Sequence, residues 1–143
     1  MSLVKEAIQA LAQQGELTHE FTLAGKKFVM RPLDSEEQIL ADGMVDTNLV
    51  KKKYGADKLM TLSDTIQKYR TIAMIALATK SIDGKPAVDS EANLEEQYKQ
   101  RCELRDELMK LPSGLMDEII REYTQMSIKE RKFYRNIEEN MEK

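Results

Sequence analysis

Apolar and polar positions follow two different periods along this chain, and the change of period marks its predicted elements. Leu3, Val4, Ala7, Ile8 and Leu11 form one helical stripe, with Lys5, Glu6, Gln9 and Gln13 outside it. Ser2 is placed to cap this short helix, and Gly15 to end it in a left-handed turn. From Leu17 the period drops to two, with Leu17, His19, Phe21 and Leu23 on one face and Thr18, Glu20 and Thr22 on the other. A second run sets Phe28, Met30 and Pro32 against Val29 and Arg31, and Gly25 between the runs supplies a positive-φ turn position. This pattern predicts a β-hairpin. Pro32 removes a ladder donor, so the second strand ends there or lies at a sheet edge, where its open side could take a partner strand.

The rest reads as helix. In "DSEEQ", Asp34–Glu37 or Ser35–Gln38 offers a capping box, and Glu36 and Glu37 favour the positive end of the helix dipole. That helix is predicted from about Glu36 through Leu40 and towards Met44, weakened by Gly43. Residues 46–60 predict a broken helix. "TLSDTIQKYRTIAMIALATKSIDG" predicts the main core helix, capped by Thr61 with Asp64 and closed by Asp83-Gly84, with Leu62, Ile66, Tyr69, Ala73, Ala76 and Leu77 on one face. Ile72 and Ile75 broaden that face, and the stretch from Ile72 to Ala78 is apolar nearly all round, as in a helix covered by neighbours or a partner chain. "IDGKPAVD" predicts a turn-rich connector. Leu94, Tyr98, Arg101, Leu104, Leu108 and Leu111 write the next helix, which Pro112-Ser113-Gly114 breaks. Ser113 is placed to cap a stripe of Leu115, Met116, Ile119, Ile120 and Tyr123. A capping box of Ser127 and Glu130 then predicts a separate, highly charged last helix bearing Phe133, Tyr134, Ile137 and Met141.

Composition narrows the function classes. The 143 residues suit one domain, and a charged fraction of 33%, above the roughly 25% typical of globular chains, favours long solvated helices. Nine methionines offer soft apolar surface, either core filler or binding groove. A net charge of −3 argues against a nucleic-acid face, and Lys26-Lys27 and Lys51-Lys52-Lys53 read as solvated turns or helix faces. One cysteine, Cys102, excludes an internal disulfide and suits a reducing cytoplasm. No apolar run approaches a membrane span, and "MSLVKEAIQALAQQG" lacks the apolar core of a signal peptide, so a soluble cytosolic product is expected.

Candidate chemistry is thin. His19 is the single histidine, sits in the strand pattern, and has no cysteine or acidic cluster near it, so a surface or half-buried hairpin residue is expected rather than a metal ligand. Cys102 has no local partner that would activate a thiolate. Glu36-Glu37, Glu95-Glu96 and Glu138-Glu139 are neighbours on helices and do not face each other. The glycines fit no phosphate loop, and "DGKPAVDSE" lacks the spacing of a calcium loop. No catalytic residue, cofactor or metal is therefore expected; a deep polar pocket around His19 and Glu36 would reverse that. What remains is surface for binding. The last helix either folds back on the core or serves a partner groove, and the N-terminal stripe poses the same choice.

The layout resembles a family of small proteins of tailed bacteriophages, the tail assembly chaperones and baseplate-hub assembly proteins. The likeness is carried by "FTLAGKKFVMRPLDSEEQ", by "TIAMIALATKSIDGKP", and by "LEEQYKQRCELRDELMKLPSGLMDEIIREYTQM", which together span most of residues 17–126. It is a likeness of layout, with no catalytic signature to match. It implies a non-enzymatic role, either escorting the tape-measure protein during tail building or taking a place in the tail tip or baseplate. Tape-measure, tail-tube or hub proteins are the implied partners, and host cytoplasm or virion tail the implied location.

The expectation is thus a mainly α protein with a small N-terminal hairpin (α+β), a bundle-like helical body and amphipathic terminal helices. Residues 1–15 form an arm, 16–126 the domain, and 127–143 the charged C-terminal helix. The expected partner surface uses Ile66, Tyr69, Ile72, Ala73, Leu77, Leu115, Ile119, Tyr123, Phe133, Tyr134 and Ile137. Homo-oligomers are admitted; nucleic acid and membrane are not. An adaptor that regulates a cellular enzyme or transcription complex through the same helical surface is the competing expectation, and gene neighbourhood separates the two.

Overall fold

A computed structural model describes residues 3–12, 17–45 and 63–141, with the side chains of 11–12, 63–65 and 137–141 left aside. The expected caps at Ser2 and Thr61, the Gly15 terminator, the broken helix over 46–60 and the lysine run at 51–53 lie outside the described residues. Those described form α1 (Leu3–Ala12), β1 (His19–Leu23), β2 (Lys26–Met30), α2 (Ser35–Gly43), α3 (Ser63–Ala78), β3 (Thr79–Ile82), β4 (Lys85–Pro86), α4 (Leu94–Met109) and α5 (Ser113–Met141). The α+β architecture is as expected, but the sheet is larger: four antiparallel strands in the order β1-β2-β3-β4.

The hairpin forms where period and glycine place it. Leu23 pairs with Lys26 across the two-residue turn Ala24-Gly25, both with positive φ, and Phe21 pairs with Phe28 and His19 with Met30. This is the geometry that matches the twist of the flanking strands. Phe21 and Phe28 stack with ring centroids 4.9 Å apart, on the face turned to the core.

The second hairpin corrects the sequence reading. The main helix does not run on to Asp83-Gly84: it stops at Ala78, and Thr79–Ile82 continues directly as β3. Asp83-Gly84, at φ 55° and 78°, turns β3 into β4 in place of ending a helix. β3 lies along β2 with Phe28 opposite Ile82 and Val29 opposite Ser81, and a bulge at Lys80 brings Met30 opposite Thr79. The side of the second run that ends at Pro32 is therefore filled by this chain's own β3. The Arg31 N–H, just past the strand, donates to the Ala78 carbonyl at 2.9 Å.

A helix that turns into a strand without a loop must satisfy its last carbonyls locally. The Thr79 hydroxyl donates to Ile75 O at 2.7 Å, and Arg101 Nη1 on α4 donates to Ala76 O at 2.8 Å and Thr79 O at 2.5 Å. Burial and the charge of Arg31 push Arg101 below the usual guanidinium value, while Glu37 acts the other way. Arg31 grips Glu37 with Nη1 and Nη2, and Glu37 Oε1 also accepts the Asp34 N–H at 3.2 Å, closing the Asp34–Glu37 capping box at the head of α2.

The core sits where α3 meets the sheet, α4 and α5. Ile72, Ala73, Ile75, Ala76 and Leu77 are buried there with Met30, Leu108, Met116, Ile119 and Met126. Met30, Met44, Met116 and Met126 are thus core filler. Two further corrections concern the C-terminal half. The Pro112 carbonyl takes the first bonds of α5, from Leu115 and Met116, so Ser113 lies in the first turn instead of capping it. There is also no break before Ser127: α5 is one helix of 29 residues, and the Ser127 hydroxyl bonds back to Tyr123 O at 3.3 Å.

Candidate interaction surface

The expected partner residues divide by burial. Ile72, Ala73, Leu77 and Ile119 are at most 4% exposed within the chain's own core, so the all-round apolar stretch of α3 is covered by the sheet, α4 and α5. Their stripes were legible, but a stripe alone does not say which neighbour covers it. Ile66, Tyr69, Leu115 and Tyr123 are half-buried. Tyr69 lines a cavity of about 230 Å³ with Ile72, Leu108, Leu111 and Met116, at whose mouth Lys68 stands 3.6 Å from Asp117. The Tyr123 hydroxyl is 3.9 Å from Met74 Sδ, and burial, with the charge of Glu130, pushes the phenol upward. Phe133 is half-buried and Tyr134 exposed, their rings edge to face at 5.4 Å. The side chain of Ile137 lies outside the described residues.

Apolar surface is left uncovered mainly elsewhere. Every side chain of residues 3–10 in α1 is exposed, with Leu3, Val4 and Ile8 at 83%, 70% and 61%. Ile39 on α2 and Leu94, the first residue of α4, are also exposed. Ile128 on α5 is half uncovered.

Sequence reasoning missed one polar cluster. His19 is buried on the inner face of β1, where Nε2 lies 2.7 Å from Glu122 Oε2 and Nδ1 lies 3.4 Å from Lys129 Nζ. The ring thus stands between a carboxylate on its Nε2 side and an amine on its Nδ1 side. Glu122 and Lys129 are two helical turns apart and face one side only if α5 runs unbroken past Ser127. That continuity was the missing signal. The cluster ties the last helix to the hairpin, correcting the expectation of a surface or merely half-buried histidine.

Among the described residues no three His, Cys, Asp or Glu side chains gather as a metal site. Glu36 is exposed on α2, and neither it nor His19 lines the cavity beside Tyr69 or the shallower one between Lys26, Asp83 and Leu104. Cys102 is a half-buried free thiol, and the neighbouring Tyr98 phenol is pushed up by burial and by its bond to Cys102. Among the described residues no helix is long and apolar enough to cross a membrane. Comparison of the chain with protein-family models, with curated proteins and with solved structures found no match in any of the three.

Proposed function

We propose that this chain is a non-enzymatic morphogenesis protein of a phage tail or baseplate, acting by protein–protein contact in the host cytoplasm or the assembled tail. It is either an assembly chaperone for the tape-measure protein or a component of the baseplate hub. The observation that carries the contact role is the amphipathic α1, whose apolar stripe of Leu3, Val4 and Ile8 meets nothing in the described body. A short amphipathic helix of this kind is suited to laying its apolar face in a groove of another protein. The phage assignment rests on the likeness of sequence layout. Because Ile72, Ala73, Leu77 and Ile119 are buried in the core, the contacts belong to the terminal helices rather than to the central stripes.

The test is co-expression of the tagged chain with the tape-measure, tail-tube and hub proteins encoded near it. Retention of one of them is expected, with the double variant Leu3→Asp/Ile8→Asp losing it while melting at the wild-type temperature. Retention of none of these proteins sinks the reading. Mass spectrometry of intact virions then separates the two roles: a chaperone is absent from them and a hub component present.

A further inference from the structure

The two edges of the sheet are built differently. β4 is two residues long and contains Pro86, features that blunt an edge against further pairing. β1 has five residues, no proline, no lysine and no bulge. The direction of its backbone groups follows from the hairpin. With Leu23 and Lys26 closing a two-residue turn, Leu23, Phe21 and His19 bond to β2. The opposite alternation on β2 agrees, since Lys27 O accepts from Asp83 N at 2.7 Å on the β3 side. The amides and carbonyls of Glu20 and Thr22 therefore point outward from β1, and both residues are exposed.

We propose that this edge pairs antiparallel with the same edge of a second copy, joining two four-stranded sheets into one. Charge excludes one register, and the Phe21 ring selects among the rest. Centred on Glu20, the pairing would set that carboxylate opposite its own copy; centred on Phe21, it sets Glu20 opposite Thr22 of the partner at both bonded positions. The latter also lays Phe21 beside its counterpart on the inner face and extends the Phe21–Phe28 stack across the interface. Pairing of five residues covers little area, and a stable dimer needs more. In the proposed dimer the further area comes from α5, which Glu122 and Lys129 tie to the same strand through His19. Its buried face continues from Ile119 and Met126 to the half-buried Phe133, and Ile128 stands exposed next to Lys129, which reaches His19 of β1. This dimer does not depend on the phage reading.

The test is molecular mass by light scattering over a concentration series, with circular dichroism as a check of folding. The wild type is expected to dimerise. Thr22→Glu places a carboxylate opposite Lys27 in its own hairpin, which favours the fold, but opposite Glu20 of the partner. It should weaken association roughly tenfold or more, since the like-charge clash occurs twice. The double variant Glu20→Lys/Thr22→Glu restores opposite charges and should regain the dimer. A wild type that stays monomeric at every concentration overturns the proposal, as does a folded Thr22→Glu variant that associates as well as the wild type.

Discussion

Arg101 shows how much one side chain decides in this fold. It sits on the expected apolar stripe of α4, an odd place for a guanidinium until the end of α3 is seen beside it. The two carbonyls it serves, Ala76 O and Thr79 O, belong to the turn where helix becomes strand. Arg101→Met keeps most of the apolar stem and removes the donors, leaving both carbonyls short of a partner. A loss of about 2 kcal/mol is expected, because a half-buried carbonyl without its donor bears part of its desolvation cost. Thr79→Val removes one neutral bond at the same junction and should cost about 1 kcal/mol. Urea unfolding of the two variants checks both the size and the order. Equal stability of Arg101→Met and wild type would mean that water satisfies the junction as well as the guanidinium does.

At the scale of elements, what the sequence made legible was local. The first hairpin was readable because strict alternation on both sides of Gly25 fits neither a helix nor a loop, and the Asp34–Glu37 box starts α2 as its spacing predicts. β3 and β4 carry the same kind of signal in "SIDGKP", yet they follow an apolar helix with no break. Asp-Gly serves equally well to end a helix or to turn a hairpin, and only the neighbouring β2 decides between them. The division of α5 failed for a related reason: Ser127 and Glu130 have capping spacing, but residues on both sides keep helical bonds. The two readings differ in sign for Ser127→Ala. A cap would lose about 1 kcal/mol. Inside a continuous helix, where the hydroxyl merely bonds back to Tyr123 O, alanine should be neutral or stabilising by a few tenths of a kcal/mol. Thermal melts of the variant should therefore show an unchanged or slightly higher midpoint, and a clear drop would restore the two-helix reading.

At the scale of the whole molecule, the sequence marked which residues are apolar but not which face which, so the expected binding surface took in Ile72, Ala73, Leu77 and Ile119 of the core. The joints between elements were equally hidden: Arg31–Glu37, Asp83–Lys27 and His19–Glu122 link positions that no spacing rule connects. Two of these joints give the fold a definite acid sensitivity. The bond from Arg31, helped by the Asp34 N–H, holds the Glu37 carboxyl below its usual 4.5, and the Lys27 N–H with Lys26 holds Asp83 below 3.8. Groups that release their protons more easily when folded contribute stability above the ordinary carboxylate value and lose it as the pH falls through the lower folded value. Glu130 acts in the opposite sense: burial raises it above 4.5, so its contribution is present below 4.5 and lost as the pH rises through the folded value. The melting temperature should therefore fall as the pH drops below about 4, where Glu37 and Asp83 take up protons. Melts from about pH 7 to about pH 3 should show a shallower acid limb in Glu37→Gln than in the wild type. Glu130→Gln should instead raise the melting temperature at neutral pH and leave the acid limb in place. An acid limb in Glu37→Gln as steep as the wild type's would mean that the Arg31–Glu37 joint is not what low pH breaks.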